Sequence, residues 1–172
     1  MMKMKKIKNV VVFTFVLVMF ILVACGTDTE ETANLNEQEV VEQTITQENK
    51  KEISIYSIND TSLEKEQIYI EIDEITPNSI VDAVVTALKE HSLEIGIDSV
   101  TMEADTVIVS FLFGKPPLSS VGSGVEETIL NSIAYSLLDN VEDCKKVIFR
   151  AEGEAYESGH YAFEVDEVYA SK

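Results

Sequence analysis

Hydrophobic positions along this chain change period several times, and each change predicts an element. In QIYIEID, Ile68, Ile70 and Ile72 alternate with Gln67, Tyr69, Glu71 and Asp73, which is the period of a half-buried strand. Before it, around Ile53, EISIYSIN holds β-branched residues and a tyrosine, and Asn59-Asp60 gives a turn signal, so the two runs predict a hairpin. Thr76-Pro77 opens a helix: the threonine can cap it, and proline at the first helical position gives up no needed N–H. Ile80, Val84, Ala87, Leu88 and His91 come next at helical spacing. Ser99–Glu103 and Thr106–Phe113, flanking Ala104-Asp105, predict a second hairpin. Its second strand is apolar at nearly every position and so is expected to be central.

GKPPLSSV, Gly114 to Val121, reads as a loop, because Pro116-Pro117 excludes both helix and central strand. GSGVEETILNSIAYSLLDN then predicts a second helix with Val125, Ile129, Ile133, Ala134, Leu137 and Leu138 as its buried stripe. Ser123 and Glu126 have the spacing of a capping box. The glycines beside this helix start match neither a Walker loop nor GxGxxG, and Glu126 and Glu127 would repel an anion there. Cys144–Ala151 and Tyr161–Val165 read as two further strands, the last with Tyr161, Phe163 and Val165 on one face. The order is ββαββαββ. The expected fold class is α+β, with two amphipathic helices packed on one face of a mostly antiparallel sheet.

Ahead of this domain the pattern is different. Lys3, Lys5, Lys6 and Lys8 precede a mostly apolar run from Val10 to Val23, the grammar of a secretory signal. As a helix the run would span roughly 21 Å, short of the ~30 Å hydrocarbon core of a bilayer. It ends in Leu22-Val23-Ala24-Cys25, which resembles the bacterial lipobox. That resemblance implies a diacylglycerol thioether on Cys25, cleavage before it, and a protein held at the extracytoplasmic face of the cell membrane. Two acyl chains suffice for stable attachment where one is marginal. The domain boundaries read from these shifts are a signal peptide at 1–24, an acidic flexible tether at 25–52 and one domain at 53–172. The tether is rich in Thr, Glu, Asn and Gln, with no aromatic residue and few strong apolar ones to offset chain entropy.

Charge narrows the partners. The formal charge of −18 becomes −22 once the four signal lysines leave. Such a surface repels phosphate backbones and anionic lipid, so nucleic acid is excluded as a partner and the lipid alone holds the protein to the membrane. Cys144 is the only other cysteine, and with Cys25 lipidated no intramolecular disulfide is available. Cys144 reads as a small buried hydrophobe. A nucleophile would need a base from His91 or His160, and neither stands in a recognisable signature. His91 falls where a histidine favours the helix C-terminal dipole. There is no HExxH, CxxC, GxSxG or EF-hand spacing, and 31 acidic residues single out no glycosidase pair. The reading assigns no catalytic residue, no metal ligand and no cofactor. It names the loop residues Pro116, Pro117 and Leu118 as a partner contact, two prolines stiffening a leucine expected to be exposed. A rigid connector is the other reading of the same loop.

From about Ile53 to Tyr169 the chain resembles the GerMN domain, the sporulation and spore-germination module. ITPNSIVDAVVTALKE looks like that family's first helix and DSVTMEADTVIVSF like its hairpin. GSGVEETILNSIAYSLLDNVEDCKKVIF looks like its second helix and the strand after it, and EGEAYESGHYAFEV like its tail. In that tail a Gly-His pair, here Gly159-His160, opens the final strand, so the resemblance implies a turn there rather than a catalytic base. It also implies a non-enzymatic interaction domain with a protein partner in the cell envelope or in spore assembly. An accessory or regulatory lipoprotein for a sensor kinase or cell-wall hydrolase, with no link to spores, is the alternative function.

Overall fold

The computed structural model describes residues 50–172. The signal segment, Cys25 and the tether up to Asn49 lie outside the described residues. The described chain is an α+β domain in the order β1 (Lys51–Ile58), β2 (Lys65–Ile72), α1 (Pro77–Glu90), β3 (Ile97–Glu103), β4 (Thr106–Phe111), α2 (Ser123–Asn140), β5 (Lys146–Ala151), β6 (Glu154–Glu157), β7 (Ala162–Phe163) and β8 (Val168–Ser171). The first strand starts two residues inside the segment read as tether: Lys51 and Glu52 already pair with Ile72 and Glu71. The expected last strand, Tyr161–Val165, is shortened to β7, and two strands that the sequence reading did not place, β6 and β8, stand before and after it. Glu167 N–H donates to Glu164 O and bends the chain between β7 and β8.

The strands form two sheets, not one. β3, β4, β5, β6 and β7 stand side by side in that order in the larger sheet, and β8 shares an edge of β5. Every pairing is antiparallel except β4 with β5, the two strands that α2 joins. A parallel pair needs such a crossover. β4 is buried at all positions from Val107 to Phe111, as a central strand should be. β1 and β2 form a separate two-stranded sheet.

That separation has a cause on α2. Thr128, Ser132, Ser136 and Asn140 recur every four residues and make a small polar stripe along one side of the helix. The edge of β1 lies along this stripe. Tyr56 N–H donates to Ser136 Oγ at 2.9 Å, and Asn140 Nδ2 donates to the carbonyl of Ser54 at 2.8 Å. Ser132 Oγ donates to Ser57 O at 3.3 Å. Side chains of a helix thus take the place of a partner strand for the outward-facing Tyr56 N–H and Ser54 carbonyl, while the Ser57 carbonyl, in the phase that faces β2, takes the Ser132 hydroxyl as an additional donor. The other sides of α2 bury Ile129, Leu130, Ile133, Ala134, Leu137 and Leu138, leaving only Glu127, Tyr135 and Asp139 exposed beyond its first turn. α2 is therefore less amphipathic than its sequence stripe implied.

α1 is capped as its sequence predicts. Thr76 Oγ1 accepts from Ser79 N–H at 3.1 Å, and Ser79 Oγ returns the bond to Thr76 N–H at 2.9 Å. Its inner face buries Ile80, Val81, Val84, Ala87 and Leu88. α2 departs from expectation at the same point. Gly122 is its N-cap, with no side-chain cap bond, and Ser123 is already the first helical residue. The Ser123–Glu126 capping box does not form because Glu126 turns inward, on the face of Leu130 and Ala134, where other groups claim its carboxylate.

Candidate functional site

The loop residues expected to contact a partner are largely docked. The Pro116 carbonyl accepts from Gly96 N–H at 3.2 Å, Pro117 is buried, and Leu118 is half-buried against the core. A side chain at Gly96 would meet Lys115 Cβ at 2.7 Å, so the loop depends on that close approach. The leucine expected to be exposed is therefore half-buried and packed. The apolar side chains that do face solvent are its neighbours Leu112 and Phe113, the latter 56% exposed. They do so because β4 ends at Phe111, two residues earlier than its apolar run implied.

Cys144 is buried, its Sγ 3.6 Å from the Lys146 carbonyl. Burial pushes its thiol up from the ordinary value, which disfavours the thiolate a nucleophile needs. His91 caps the C-terminus of α1, and its Nδ1 lies 2.5 Å from Asp60 Oδ1, tying the helix to the turn after β1. The two histidines serve separate clusters.

A polar cluster surrounds Glu126, which is 0% exposed. Tyr156 OH donates to its Oε1 at 2.7 Å, and His160 Nδ1 lies 2.8 Å from its Oε2. A buried carboxylate is tolerated only when its oxygens are bonded in this way. Burial, then the bond to Glu126, pushes the Tyr156 phenol far above its usual range. Two more phenols reach the same part of α2: Tyr169 OH donates to Asn131 Oδ1 at 2.9 Å, and Tyr161 OH lies 3.4 Å from Glu127 Oε2. Burial raises Tyr169 as well, ahead of the charge on Glu127. Behind the hydroxyls, the rings of Phe111, Tyr156, Phe163, Tyr169 and Phe149 close a circuit with neighbouring centroids 4.8 to 5.9 Å apart.

Gly159-His160 forms the expected turn, with Ser158 Oγ accepting from the N–H groups of His160 and Tyr161. Ser158 is thus committed to the backbone, and the imidazole is held by Glu126 rather than aimed at it. The arrangement fastens Ser158–Tyr161 to the first turn of α2. Among the described residues, no group of three or more His, Cys, Asp or Glu is placed to hold a metal ion. None of the described helices is long and apolar enough to cross a membrane.

Two open grooves flank the β1–β2 hairpin. One, of about 620 Å³, lies between the Ser62–Lys65 turn and the start of α2. At its margin Lys65 Nζ sits 3.8 Å from the centre of the Tyr135 ring and 4.2 Å from that of Tyr56. The other, of about 470 Å³, lies between β2 and α1, floored by Ile68, Ile70 and Ile72. Comparison with family models, curated proteins and solved structures yields no match to this chain.

Sequence reasoning placed Glu126 in a cap and missed its burial. One signal was present: four and eight residues before Leu130 and Ala134, Glu126 stands on the apolar face, where a carboxylate requires partners. Tyr156 and His160, 30 and 34 residues away, carry no such mark.

Proposed function

We propose that this protein is a lipoprotein anchored through Cys25 to the extracytoplasmic face of a Gram-positive cell membrane. It presents a GerMN-like domain that acts by protein contact in sporulation or spore germination. The observation that carries the reading is the order along the chain: basic residues, an apolar run, Leu22-Val23-Ala24-Cys25, an acidic segment, then a folded domain. An interaction role is supported by what the domain offers to solvent. Tyr69 is 71% exposed and Phe113 56% exposed, and two open grooves flank the β1–β2 hairpin. Exposed large apolar side chains and open grooves favour contact with partners. The GerMN-like reading draws further support from the two helices alternating with strand pairs in the expected order.

The test has two arms. Palmitate labelling in cells should mark the wild-type chain and not the Cys25→Ser variant. Labelling and membrane fractionation that survive this substitution would end the lipid-anchor reading. Transcript levels tracked through vegetative growth and sporulation address the role: a rise confined to sporulation supports the spore assignment. Steady vegetative expression would favour the accessory envelope lipoprotein instead.

A further inference from the structure

The two outer edges of the β1–β2 sheet are treated differently. The β1 edge is covered by the hydroxyl and amide stripe of α2. Among the described residues, no strand pairs with the far edge of β2. Asn59 N–H donates to Glu64 O, which fixes the alternation of the ladder. Counting from that bond, Gln67, Tyr69 and Glu71 direct their N–H and C=O groups away from β1. Tyr56, opposite Gln67, confirms the phase, since its N–H points outward to Ser136. The edge runs through eight consecutive pairs without a register shift and contains no proline. Bulges and prolines are devices by which proteins blunt an edge, and β2 lacks them.

Beside this edge lies the groove of about 470 Å³. Its floor is Ile68, Ile70 and Ile72, half-buried, and its α1 wall is lowered by Ala83 and Ala87. Its charged lining residues are Glu71, Asp82 and Glu90, all acidic. The chain's own preceding segment is an unfavourable occupant. Residues 26–49 carry seven acids and no lysine or arginine, so the groove repels them. A cationic strand is attracted by the same charges.

We propose that β2 and α1 form a docking groove for an extended, cationic segment of a partner protein, which adds to the free edge of β2 as a further strand. Main-chain groups of the segment pair with Gln67, Tyr69 and Glu71. Side chains at alternate positions of the segment enter the groove, apolar ones onto the isoleucines and lysines or arginines toward Asp82 and Glu90 on its α1 wall, while the positions between them pass on the face of Glu71. The proposal deepens the contact role and rests on it, while the anchor at Cys25 stands or falls separately by acyl labelling.

The experiment is fluorescence anisotropy with the full chain in detergent and a fluorescein-labelled peptide of repeating Lys-Lys-Val-Val, which as a strand presents both lysine and valine to the groove. Saturable, salt-sensitive binding is expected. The same peptide with Glu for Lys, or N-methylated on alternate amides, should bind at least about tenfold more weakly. Two exposed-site variants read the surface: Asp82→Lys with Glu90→Lys reverses the rim, and Tyr69→Pro removes an outward N–H where an edge proline is tolerated. Each should weaken binding at least about tenfold with melting unchanged, and the rim variant keeps the test valid should Tyr69→Pro unfold the hairpin. Equal binding of the Glu peptide or of the N-methylated peptide overturns the proposal. So does wild-type affinity in the folded rim variant.

Discussion

Tyr156→Phe removes one oxygen and nothing else. The ring keeps its neighbours Phe111 and Phe163, at 5.9 and 5.1 Å, so packing is conserved. What is lost is the 2.7 Å bond to the fully buried Glu126. A hydrogen bond to a charged group contributes about 1.5–3 kcal/mol, and the carboxylate that remains has no water to turn to. A domain of about 120 residues unfolds with an entropy of about 0.25 kcal/mol/K, so each kcal/mol shifts Tm by about 4 °C. The variant should therefore melt about 6–12 °C below wild type. Tyr69→Phe, which deletes an exposed hydroxyl, should melt within about 2 °C of wild type. Glu126→Met alone strands the Tyr156 hydroxyl and should also destabilise. Combining it with Tyr156→Phe removes both polar partners, so the double variant should be more stable than the sum of the singles by about 1–2 kcal/mol. Thermal melting monitored by circular dichroism, with urea titration for free energies, reads the four variants against wild type. A Tyr156→Phe melt superimposed on wild type, or strict additivity in the cycle, would show that the Tyr156–Glu126 bond does not hold the C-terminal strands to α2.

The raised phenols give an alkaline limit. Below about pH 10 both native and unfolded chains keep Tyr156 and Tyr169 protonated; above it the unfolded chain ionises first, so stability falls as pH rises. The slope approaches about 1.4 kcal/mol per pH unit for each raised phenol, and urea midpoints between about pH 9 and pH 11 should fall less steeply in Tyr156→Phe, which lacks one of them. Parallel curves would sink this account. Ser136→Ala leaves the Tyr56 N–H facing a helix with no acceptor and should cost about 1–3 kcal/mol, read as a lower urea midpoint. Hydrogen exchange at Tyr56 should quicken in the same variant, and an unchanged rate there would mean that the β1 edge is satisfied in another way.

Local signals translated well where one short stretch held all the information. The Thr76-Pro77 start works because cap, proline and Ser79 lie within four residues. The Ile68, Ile70, Ile72 alternation marked the β2 faces, and the mostly apolar run of β4 marked a strand covered along its length. Gly159-His160 was read as a turn and is one. The loop at Pro116–Leu118 was read as rigid, which its docking against Gly96 explains, but its leucine proved packed rather than exposed. Exposure is set by what lies opposite, and no local pattern carries that. Val165 failed for the same reason: the bend at Glu164–Glu167 took it off the face shared by Tyr161 and Phe163.

By itself the sequence determined the periodicities, the turns, the α+β order and the chemical grammar of the segment ending at Cys25, all of which are properties of neighbouring residues. Only the tertiary structure decided that β1 and β2 stand apart from the main sheet, and that Glu126 is a buried anchor rather than a cap. The first depends on a hydroxyl stripe that reads as ordinary serine and threonine until a strand is laid along it. The second depends on Tyr156 and His160 arriving from 30 and 34 residues away. A carboxylate finds its lowest free energy in whichever partners the closed chain brings within hydrogen-bond reach, and those are fixed by chain closure, not by spacing.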